Sequence, residues 1–222
     1  MATASVTLAA TAVERQLSSA AQGHVLTNIN CWSPDGQWLV YDVRTGDAFN
    51  GRFIEQVHTR TGEVQRLYEA TQGAFCGVVT YSPADSRVVF IHGPENPTAE
   101  WAYHFTRRRG AVVDAARPGT ARPLDAMTYA PPFVPGALRG GSHVHVFSPD
   151  GRWVSYTYED EVLARLDADP RAAGLRLLAR RALHRLSARG RWRFRFVLTD
   201  LCRRCLCTGP SHVTLILSEF LS

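Results

Sequence analysis

Ser-Pro-Asp-Gly-Gln-Trp-Leu-Val-Tyr, at residues 33–41, is the stretch that decides the fold. It returns as Ser-Pro-Ala-Asp-Ser-Arg-Val-Val-Phe at residues 82–90 and as Ser-Pro-Asp-Gly-Arg-Trp-Val-Ser-Tyr at residues 148–156. Serine, proline, aspartate and glycine in this order are typical of a type I turn. The β-branched and aromatic residues that follow are typical of a strand. The sequence therefore predicts three copies of one hairpin unit and an all-β fold.

The segments between the copies supply further strands. Residues 53–57 and 63–67 alternate in polarity and flank Thr61-Gly62, which is a turn signal. This pattern predicts four strands per repeat, two around the Ser-Pro turn and two outside them. The copies start 49 and then 66 residues apart, whereas a four-stranded repeat needs about 40–50 residues. We therefore expect an insertion in the second repeat, at residues 111–139, which are rich in Pro, Ala and Gly.

Three longer stretches, at residues 24–28, 90–97 and 138–147, accompany these motifs. Together with the repeated turn, they resemble the TolB-like (WD40-like) β-propellers, and in particular a bacterial family of such propellers whose function is unassigned. The resemblance covers residues 13–164 and implies three four-stranded blades. Closed propellers usually have about 4–8 blades, so we expect a partial β-propeller from a truncated chain.

Residues 165–222 differ from the rest of the chain in charge. All 25 basic residues are arginine; residues 1–164 contain 13 of them against 16 acidic residues, and residues 165–222 contain 12 against 4. No blade motif occurs in this second segment. We expect an unrelated arginine-rich tail that makes few contacts with residues 24–158. Three origins stay open for it: a shifted reading frame, a disordered or helical basic appendage, and an arm for nucleic acid.

The composition excludes several classes of protein. The hydrophobic fraction of 45% indicates a globular chain. No run of residues approaches the ~20 apolar residues that a membrane-spanning helix needs. Residues 1–12 contain no basic residue, so we expect a disordered lead-in and not a signal peptide. The sequence therefore predicts a cytoplasmic protein, with a periplasmic location as the alternative, and neither a nucleic-acid partner nor a membrane span.

His143 and His145 are the first candidates for chemistry. Residues i and i+2 of a strand point to one face, and neutral imidazole is a common ligand for Zn and Mn. A His-x-His pair directly before a Ser-Pro-Asp-Gly turn also resembles the metal-binding strand of oligogalacturonate lyases, which are propellers. This resemblance implies a divalent metal, Mn or Zn, with His24 and His92 as nearby candidates for further ligands. The alternative is that the histidines are structural or line a channel.

An alignment of the repeats on their serines extends this hypothesis to the first repeat. It puts Asn28 and Asn30 at the positions of His143 and His145. If the strand before each Ser-Pro turn lines a central channel, as in propellers of this type, both asparagines are expected to face a ligand there.

A second cluster combines Glu95 and Asn96 with Arg139 and the Gly140-Gly141 pair. Arginine can bind a carboxylate through two parallel hydrogen bonds, and glycine lets a backbone approach a ligand closely. The alternative is a turn-rich loop. The run of arginines at residues 107–109 could meet phosphate, but we expect a solvated hairpin.

The cysteines divide into two groups. Three cysteines and a histidine near the end of the chain lack the paired spacing of common zinc modules, so a zinc site is not expected from Cys202, Cys205, Cys207 and His212. Cys31 and Cys76 lie in predicted strands, where we expect buried thiols.

Two functions follow from these features. The first is a scaffold that presents the mouth of its channel to a protein, a small molecule or a carbohydrate, without catalysis and without a required cofactor. The second is a metal-dependent carbohydrate-active enzyme built on His143 and His145. Propellers host many unrelated activities, so the fold does not decide between them.

Overall fold

The computed structural model describes residues 14–26, 29–45, 48–124, 128, 132, 138–161 and 164–165, and the backbone of residues 181–185 and 193–195. The structure is all-β, as the sequence predicts. Ten strands between residues 24 and 158 form antiparallel sheets of four, four and two strands, and two short strands from the later segment extend the third sheet. Within the described residues, no helix has the length and apolar character to cross a bilayer.

Each sheet is a meander whose strands follow one another in chain order. Sheet 1 contains β1 (His24–Val25), β2 (Trp38–Val43), β3 (Phe53–His58) and β4 (Val64–Glu69). Sheet 2 contains β5 (Cys76–Tyr81), β6 (Arg87–His92), β7 (Arg109–Asp114) and β8 (Arg117–Pro123). Sheet 3 contains β9 (Ser142–Phe147), β10 (Trp153–Tyr158), β11 (Arg181–Arg185) and β12 (Arg193–Arg195). The order of the strands is the one that four strands per repeat predicted.

The predicted turns have the expected geometry. Ser33 Oγ accepts the N–H of Trp38 at 2.9 Å and donates to the Asp35 carboxylate at 2.6 Å. Ser148 Oγ repeats both bonds at 3.0 and 2.6 Å. The fourth residue of these two turns is a glycine with positive φ, 68° at Gly36 and 66° at Gly151, whereas the turn at Ser82 has Asp85 there. The serine hydroxyl thus accepts a hydrogen bond from the strand that follows the turn and donates one to the aspartate inside it.

The three sheets stack in chain order, and one apolar core lies in each interface. Sheet 1 packs on sheet 2 through β2 against β5 and β4 against β8, and sheet 2 packs on β9 of sheet 3. Phe90, the largest fully buried side chain, lies in the first core with Ile54 and Leu67. Burial of a side chain of this size stabilises the fold by about 1.5–3 kcal/mol. The second core contains Phe147 and Tyr156.

The outer face of sheet 1 is covered by the segment before β1. Leu17 packs against a small cluster formed by Tyr41, Val43 and Val57. The described strands of sheets 1 and 3 make no contact with each other, so the stack is open.

The extra residues of the second repeat lie partly inside the predicted insertion. Residues 111–139 were expected to form it, but β7 and β8 occupy the first part of this range. The additional length is in the β8–β9 connection, residues 124–141, most of which falls in the predicted range, and in the β6–β7 connection, residues 93–108, which lies before it.

Part of the arginine-rich tail belongs to sheet 3. Residues 181–185 pair with β10 from Trp153 to Thr157, and β12 pairs with β11. The expectation of few contacts between the tail and residues 24–158 is therefore wrong for this segment. Backbone hydrogen bonding does not depend on side-chain pattern, which is why an arginine-rich sequence without a blade motif can complete the sheet.

Candidate functional site

The first strand of sheet 2 contains a β-bulge. The register of β5 and β6 shifts between Gly77 and Thr80, and Val78 has a φ of 58°. A valine in this left-handed region is strained, because its β-branched side chain crowds the backbone. Bulges of this kind redirect side chains and are common next to functional sites. The N–H of Val78 donates to Asp42 Oδ1 of sheet 1 at 3.1 Å.

The first strand of sheet 3 contains the same bulge. Val144 has a φ of 53°, and the ladder pairs His143 with Thr157 and Val146 with Ser155. The extra residue interrupts the alternation of side chains, so His143 and His145 lie on opposite sides of the strand. The prediction that both imidazoles share one face is therefore wrong. It assumed an unbroken period of two, which a bulge removes.

His145 faces sheet 2 and is fully buried. Its ring centroid lies 5.4 Å from that of Tyr156. It packs over Gly110 of β7, where an added Cβ would lie only 2.7 Å from Nε2 of His145. This histidine is part of the packing between the two sheets, which agrees with the structural alternative.

His143 lies on the other side of β9 and is half-buried. Burial, and then the charge of the Arg108 guanidinium, lower the pKa of His143 from 6.5 to about 4. The backbone also joins these two residues' segments, because the N–H groups of Gly141 and Ser142 donate to the carbonyl of Arg108 at 2.7 and 3.3 Å. His143 is therefore a neutral imidazole near an arginine at neutral pH.

The first repeat does not match the alignment on the serines. Val25 pairs with Asp42, as Gly77 pairs with Ile91 and His143 with Thr157. The residue equivalent to His143 is thus Val25, and not Asn28, because sheet 1 has more residues between β1 and the Ser-Pro turn. Asn28 itself lies outside the described residues. Asn30 has a φ of 60°, and its carbonyl accepts the N–H of Tyr81 at 2.7 Å.

Arginines gather where β2 and β6 end and where β7 and β9 begin, a region that we call the arginine-rich end. Its members are Arg44, Arg107, Arg108, Arg109 and Arg139. Four of them have a carboxylate partner: Asp42 for Arg44 at 2.8 Å, Glu161 for Arg107 at 3.6 Å, Glu95 for Arg109 at 2.5 Å and Asp160 for Arg139 at 2.5 Å. Arg108 is the exception, because no described carboxylate forms an ion pair with it.

The arginines at residues 107–109 do not form the solvated hairpin that the sequence favoured. The side chains of Arg107 and Arg109 are only 19% and 16% exposed. Arg107 lies over the ring of Trp101, 4.6 Å from its centroid. The buried Nε atom of Arg108 makes no hydrogen bond to a described residue. The signal that could have indicated this is the pair of aromatic residues, Trp101 and Tyr103, shortly before the arginines.

The second predicted cluster is divided by the structure. Glu95 pairs with Arg109, whereas Arg139 pairs with the fully buried Asp160, which also accepts the hydroxyl of Tyr158 at 2.9 Å. The two glycines after Arg139 have φ values of 101° and 90°. Their close approach is to protein backbone, since a Cβ would lie 2.7 Å from the carbonyl oxygen of Thr106 in one case and 2.1 Å from that of Glu159 in the other.

His92 and His24, the candidates for further metal ligands, make their contacts with other residues of the protein. His92 is buried between sheets 1 and 2, where Nε2 accepts the hydroxyl of Tyr68 at 2.9 Å and Nδ1 donates to the carbonyl of Gly93 at 2.7 Å. Burial, and then Arg109, lower its pKa. The ring of His24 packs edge-on against Tyr41 at 4.8 Å. In the described part of the chain, no three His, Cys, Asp or Glu side chains are grouped as metal ligands.

Cys31 and Cys76 are buried thiols, as predicted, although Cys31 lies between β1 and β2 and not in a strand. Cys31 and Cys76 are both free and buried. Burial is the main cause that raises the pKa of the Cys76 thiol, which keeps it protonated. The cysteine cluster near the end of the chain lies outside the described residues.

A shallow groove lies at Arg107, the residue before Arg108. Its lining consists of His104, Thr106, Arg107, Glu161, Ala164 and Arg165. Glu161 bridges the groove, because it also pairs with Arg165 at 2.8 Å. The arginine-rich end thus combines a concave surface with one guanidinium that no carboxylate of the described residues neutralises.

The chain is similar to one protein family and to one bacterial protein. Residues 75–182 match the model of a family described as "Protein of unknown function (DUF3748)". The match extends past residue 164, into the segment that forms β11. The chain is also 53% identical over 154 residues to "Uncharacterized protein YidR" of Escherichia coli (strain K12).

These likenesses cover only part of the relatives. The alignment with the Escherichia coli protein includes 69% of this chain and 36% of that protein, so the chain spans about a third of its length. Among solved structures, the chain is similar to Kuenenia stuttgartiensis hydrazine synthase, with 18% identity and a TM-score of 0.35 over 65% of this chain and 44% of the other.

Proposed function

We propose that this chain is a portion of a TolB-like β-propeller that binds a carboxylate-bearing ligand, a small molecule or a carbohydrate, at its arginine-rich end. The three stacked four-stranded meanders and the repeated Ser-Pro turns support the propeller part of the proposal. The likeness to a family of unassigned function supports a protein of that group. The chain corresponds to about a third of its longer relative, and the activity of a whole protein of this kind is part of the proposal.

The unneutralised Arg108 is the observation that carries the ligand class. Its neighbours Arg107, Arg109 and Arg139 each face a carboxylate of the protein. Arg108 is half-buried, with its Nε removed from water. Guanidinium groups that are partly desolvated bind carboxylates and phosphates more strongly than exposed ones do, because less solvent screens the charge. An anion from outside the chain would give Arg108 the ion pair that its neighbours form with carboxylates of the protein.

The alternative function, a metal-dependent carbohydrate-active enzyme, depended on one face holding His143 and His145. The bulge at Val144 separates them. A divalent metal, Mn or Zn, remains a prediction from the sequence that would need ligands other than this pair, and we do not extend the proposal to catalysis.

Calorimetric titration of the full chain tests the proposed function. Glucuronate, with glucose as its uncharged match, and inorganic phosphate are titrated into the wild type, Arg108→Gln and Arg117→Gln. Arg117 is a suitable control because it is 86% exposed and begins β8, at the opposite end of the β7–β8 hairpin from Arg109. We expect saturable binding of glucuronate, none of glucose, and a tenfold or greater loss of affinity only in Arg108→Gln. Equal affinity in all three proteins, or no binding of either anion, would contradict the proposal. Tighter binding of phosphate than of glucuronate would replace the carboxylate by phosphate as the ligand.

A further inference from the structure

The residue before each repeat serine is aromatic, and in two of the three sheets it is buried against the preceding sheet. Tyr81 of sheet 2 is 3% exposed in the first core, and its hydroxyl donates to Gln56 Oε1 of sheet 1 at 3.1 Å. Phe147 of sheet 3 is 4% exposed in the second core, where the guanidinium carbon of Arg87 of sheet 2 lies 5.5 Å from its ring centroid. This aromatic residue is therefore the contact of a sheet with the sheet before it.

Trp32 occupies the same position in sheet 1 and is 55% exposed. The backbone there is extended and paired with β2, through a bridge between Trp32 and Leu39. Its neighbour Cys31 is buried in the first core, so the alternation of an extended segment directs Trp32 away from sheet 2. Trp32 thus lies on the face of sheet 1 on which a preceding sheet would pack.

The cover formed by the residues before β1 leaves this position open. Leu17 of that cover packs against a cluster of β2 and β3 residues that does not include Trp32. The connection from β1 to β2 also contains Leu26, which is 57% exposed, and Ile29, which is 70% exposed. Half of the exposed large hydrophobic side chains among the described residues therefore belong to this one connection. Concentrated apolar surface of this kind marks interaction sites, and tryptophan is a frequent anchor in them.

Sheet 3 supplies a matching face. Arg87, which contacts Phe147 across the second interface, lies five residues after its repeat serine, and Trp153 has this position in sheet 3. Val89, two residues after Arg87, is buried in the second core, whereas its equivalent in sheet 3, Ser155, is exposed. Trp153 is half-buried, and the described residues contain no sheet that follows sheet 3. Sheet 3 therefore presents an aromatic residue at the position that contacts the aromatic residue of a following sheet.

We infer that sheet 3 of a second copy packs on sheet 1, with Trp153 of one copy against Trp32 of the other. The arrangement repeats the contact of Arg87 with Phe147 in the second interface. The occupant is a sheet because a sheet fills both of the equivalent positions, and the chain itself supplies one with an open face. The inference goes beyond the proposed function, since it uses neither the arginine-rich end nor a ligand.

The proposed contact is head to tail, and contacts of this type close into a ring where the rotation between subunits fits. Two copies with three sheets each contain six sheets, and closed propellers usually have about 4–8 blades. A pair of copies therefore has the number of sheets that a closed ring needs, with two identical interfaces between Trp153 and Trp32.

Sedimentation equilibrium of the full chain tests the inference. We expect the wild type to have the mass of two 24.6 kDa chains. Trp32→Glu and Trp153→Glu should each weaken association at least tenfold, because each buries an unpaired charge in both interfaces of the pair. Phe105→Glu is the matched control, since it changes an exposed aromatic residue of the β6–β7 connection, and it should associate as the wild type does.

A mixture of the two variants distinguishes this contact from a symmetric one. A Trp32→Glu chain keeps Trp153 and a Trp153→Glu chain keeps Trp32, so a mixed pair has one intact interface. A pair of identical variants has none. We expect the mixture to form pairs at a concentration at which each variant alone is a single chain, and this recovery also shows that both variants fold.

Four results would overturn the inference. They are a wild type that stays a single chain at every concentration, association that Trp32→Glu leaves unchanged, a mixture without recovery, and species that grow beyond a pair as the concentration rises. Trp153→Gln takes the place of Trp153→Glu in the mixture if circular dichroism shows that the glutamate variant does not fold.

Discussion

Asp42 of sheet 1 accepts the N–H of Val78 of sheet 2 at 3.1 Å, and this bond holds a strained bulge residue in place. Arg44 lies on the other carboxylate oxygen at 2.8 Å, and both side chains are almost entirely buried. A single aspartate thus links two sheets and balances a buried charge. Four predictions about stability and assembly follow from contacts of this kind, and each can be tested without knowledge of the ligand.

Asp42→Asn should destabilise the fold by about 3–5 kcal/mol, because removal of one partner leaves the other charge of a buried pair uncompensated. Chemical denaturation measures this as a lower midpoint with an unchanged slope. The exposed Glu63→Gln is the control, with an expected change within about 0.5 kcal/mol. An Asp42→Asn protein as stable as the control would show that Arg44 does not depend on this carboxylate.

Gly110→Ala should destabilise the fold by about 1–3 kcal/mol through overpacking. The new methyl group would lie 2.7 Å from both His145 and Leu124. In a His145→Ala background the same change should cost much less, since half of the clash is gone. A double-mutant cycle measures this coupling. Strictly additive effects would mean that His145 does not pack over Gly110.

Arg87→Met should weaken the link between the turns of sheets 2 and 3. Arg87 pairs with Asp85, donates to the carbonyl of Gly151 at 2.6 Å and lies 5.5 Å from the centroid of the Phe147 ring. Loss of a hydrogen bond from a charged group should cost about 1.5–3 kcal/mol in thermal or chemical unfolding. Arg117→Met is the matched control, because its ion pair with Asp114 is exposed and surface pairs contribute about 0–1 kcal/mol. Equal effects of the two substitutions would argue against the turn-to-turn link.

Ala182→Pro should disrupt the pairing of β11 with β10. Proline has no N–H to donate to the ladder, and Ala182 lies opposite Tyr156. Hydrogen exchange of the β10 amides should then become faster than in the wild type, and the exposed strand edge should favour self-association in gel filtration. Unchanged exchange rates in β10 would restore the view of this segment as an unrelated tail.

The repeated turn made most of the fold predictable. Ser33 and Ser148 form the hydrogen bonds that their motif implies, and four strands follow in each sheet. The strands from the tail were not predictable by pattern, because backbone pairing can complete a sheet whatever the side chains are. The site was harder to predict than the fold. Regular strand alternation predicts that His143 and His145 lie on one face, but the single extra residue at Val144 puts them on opposite faces.

The role of Arg108 could not be read from the sequence because it depends on which arginines find carboxylates. Arg107, Arg108 and Arg109 are alike in the sequence, yet only the middle one lacks a carboxylate partner among the described residues. The partners Glu95 and Glu161 lie on either side of the run, 14 residues before Arg109 and much later than Arg107. Tertiary structure alone brings them together.

Calorimetric titration of Arg108→Gln with glucuronate tests the central claim most directly, because Arg108 is the one arginine of residues 107–109 without a carboxylate partner among the described residues. The account expects a tenfold or greater loss of affinity in Arg108→Gln, while Arg117→Gln binds as the wild type does. Equal affinity in the three proteins would contradict the claim that Arg108 binds a carboxylate from outside the chain.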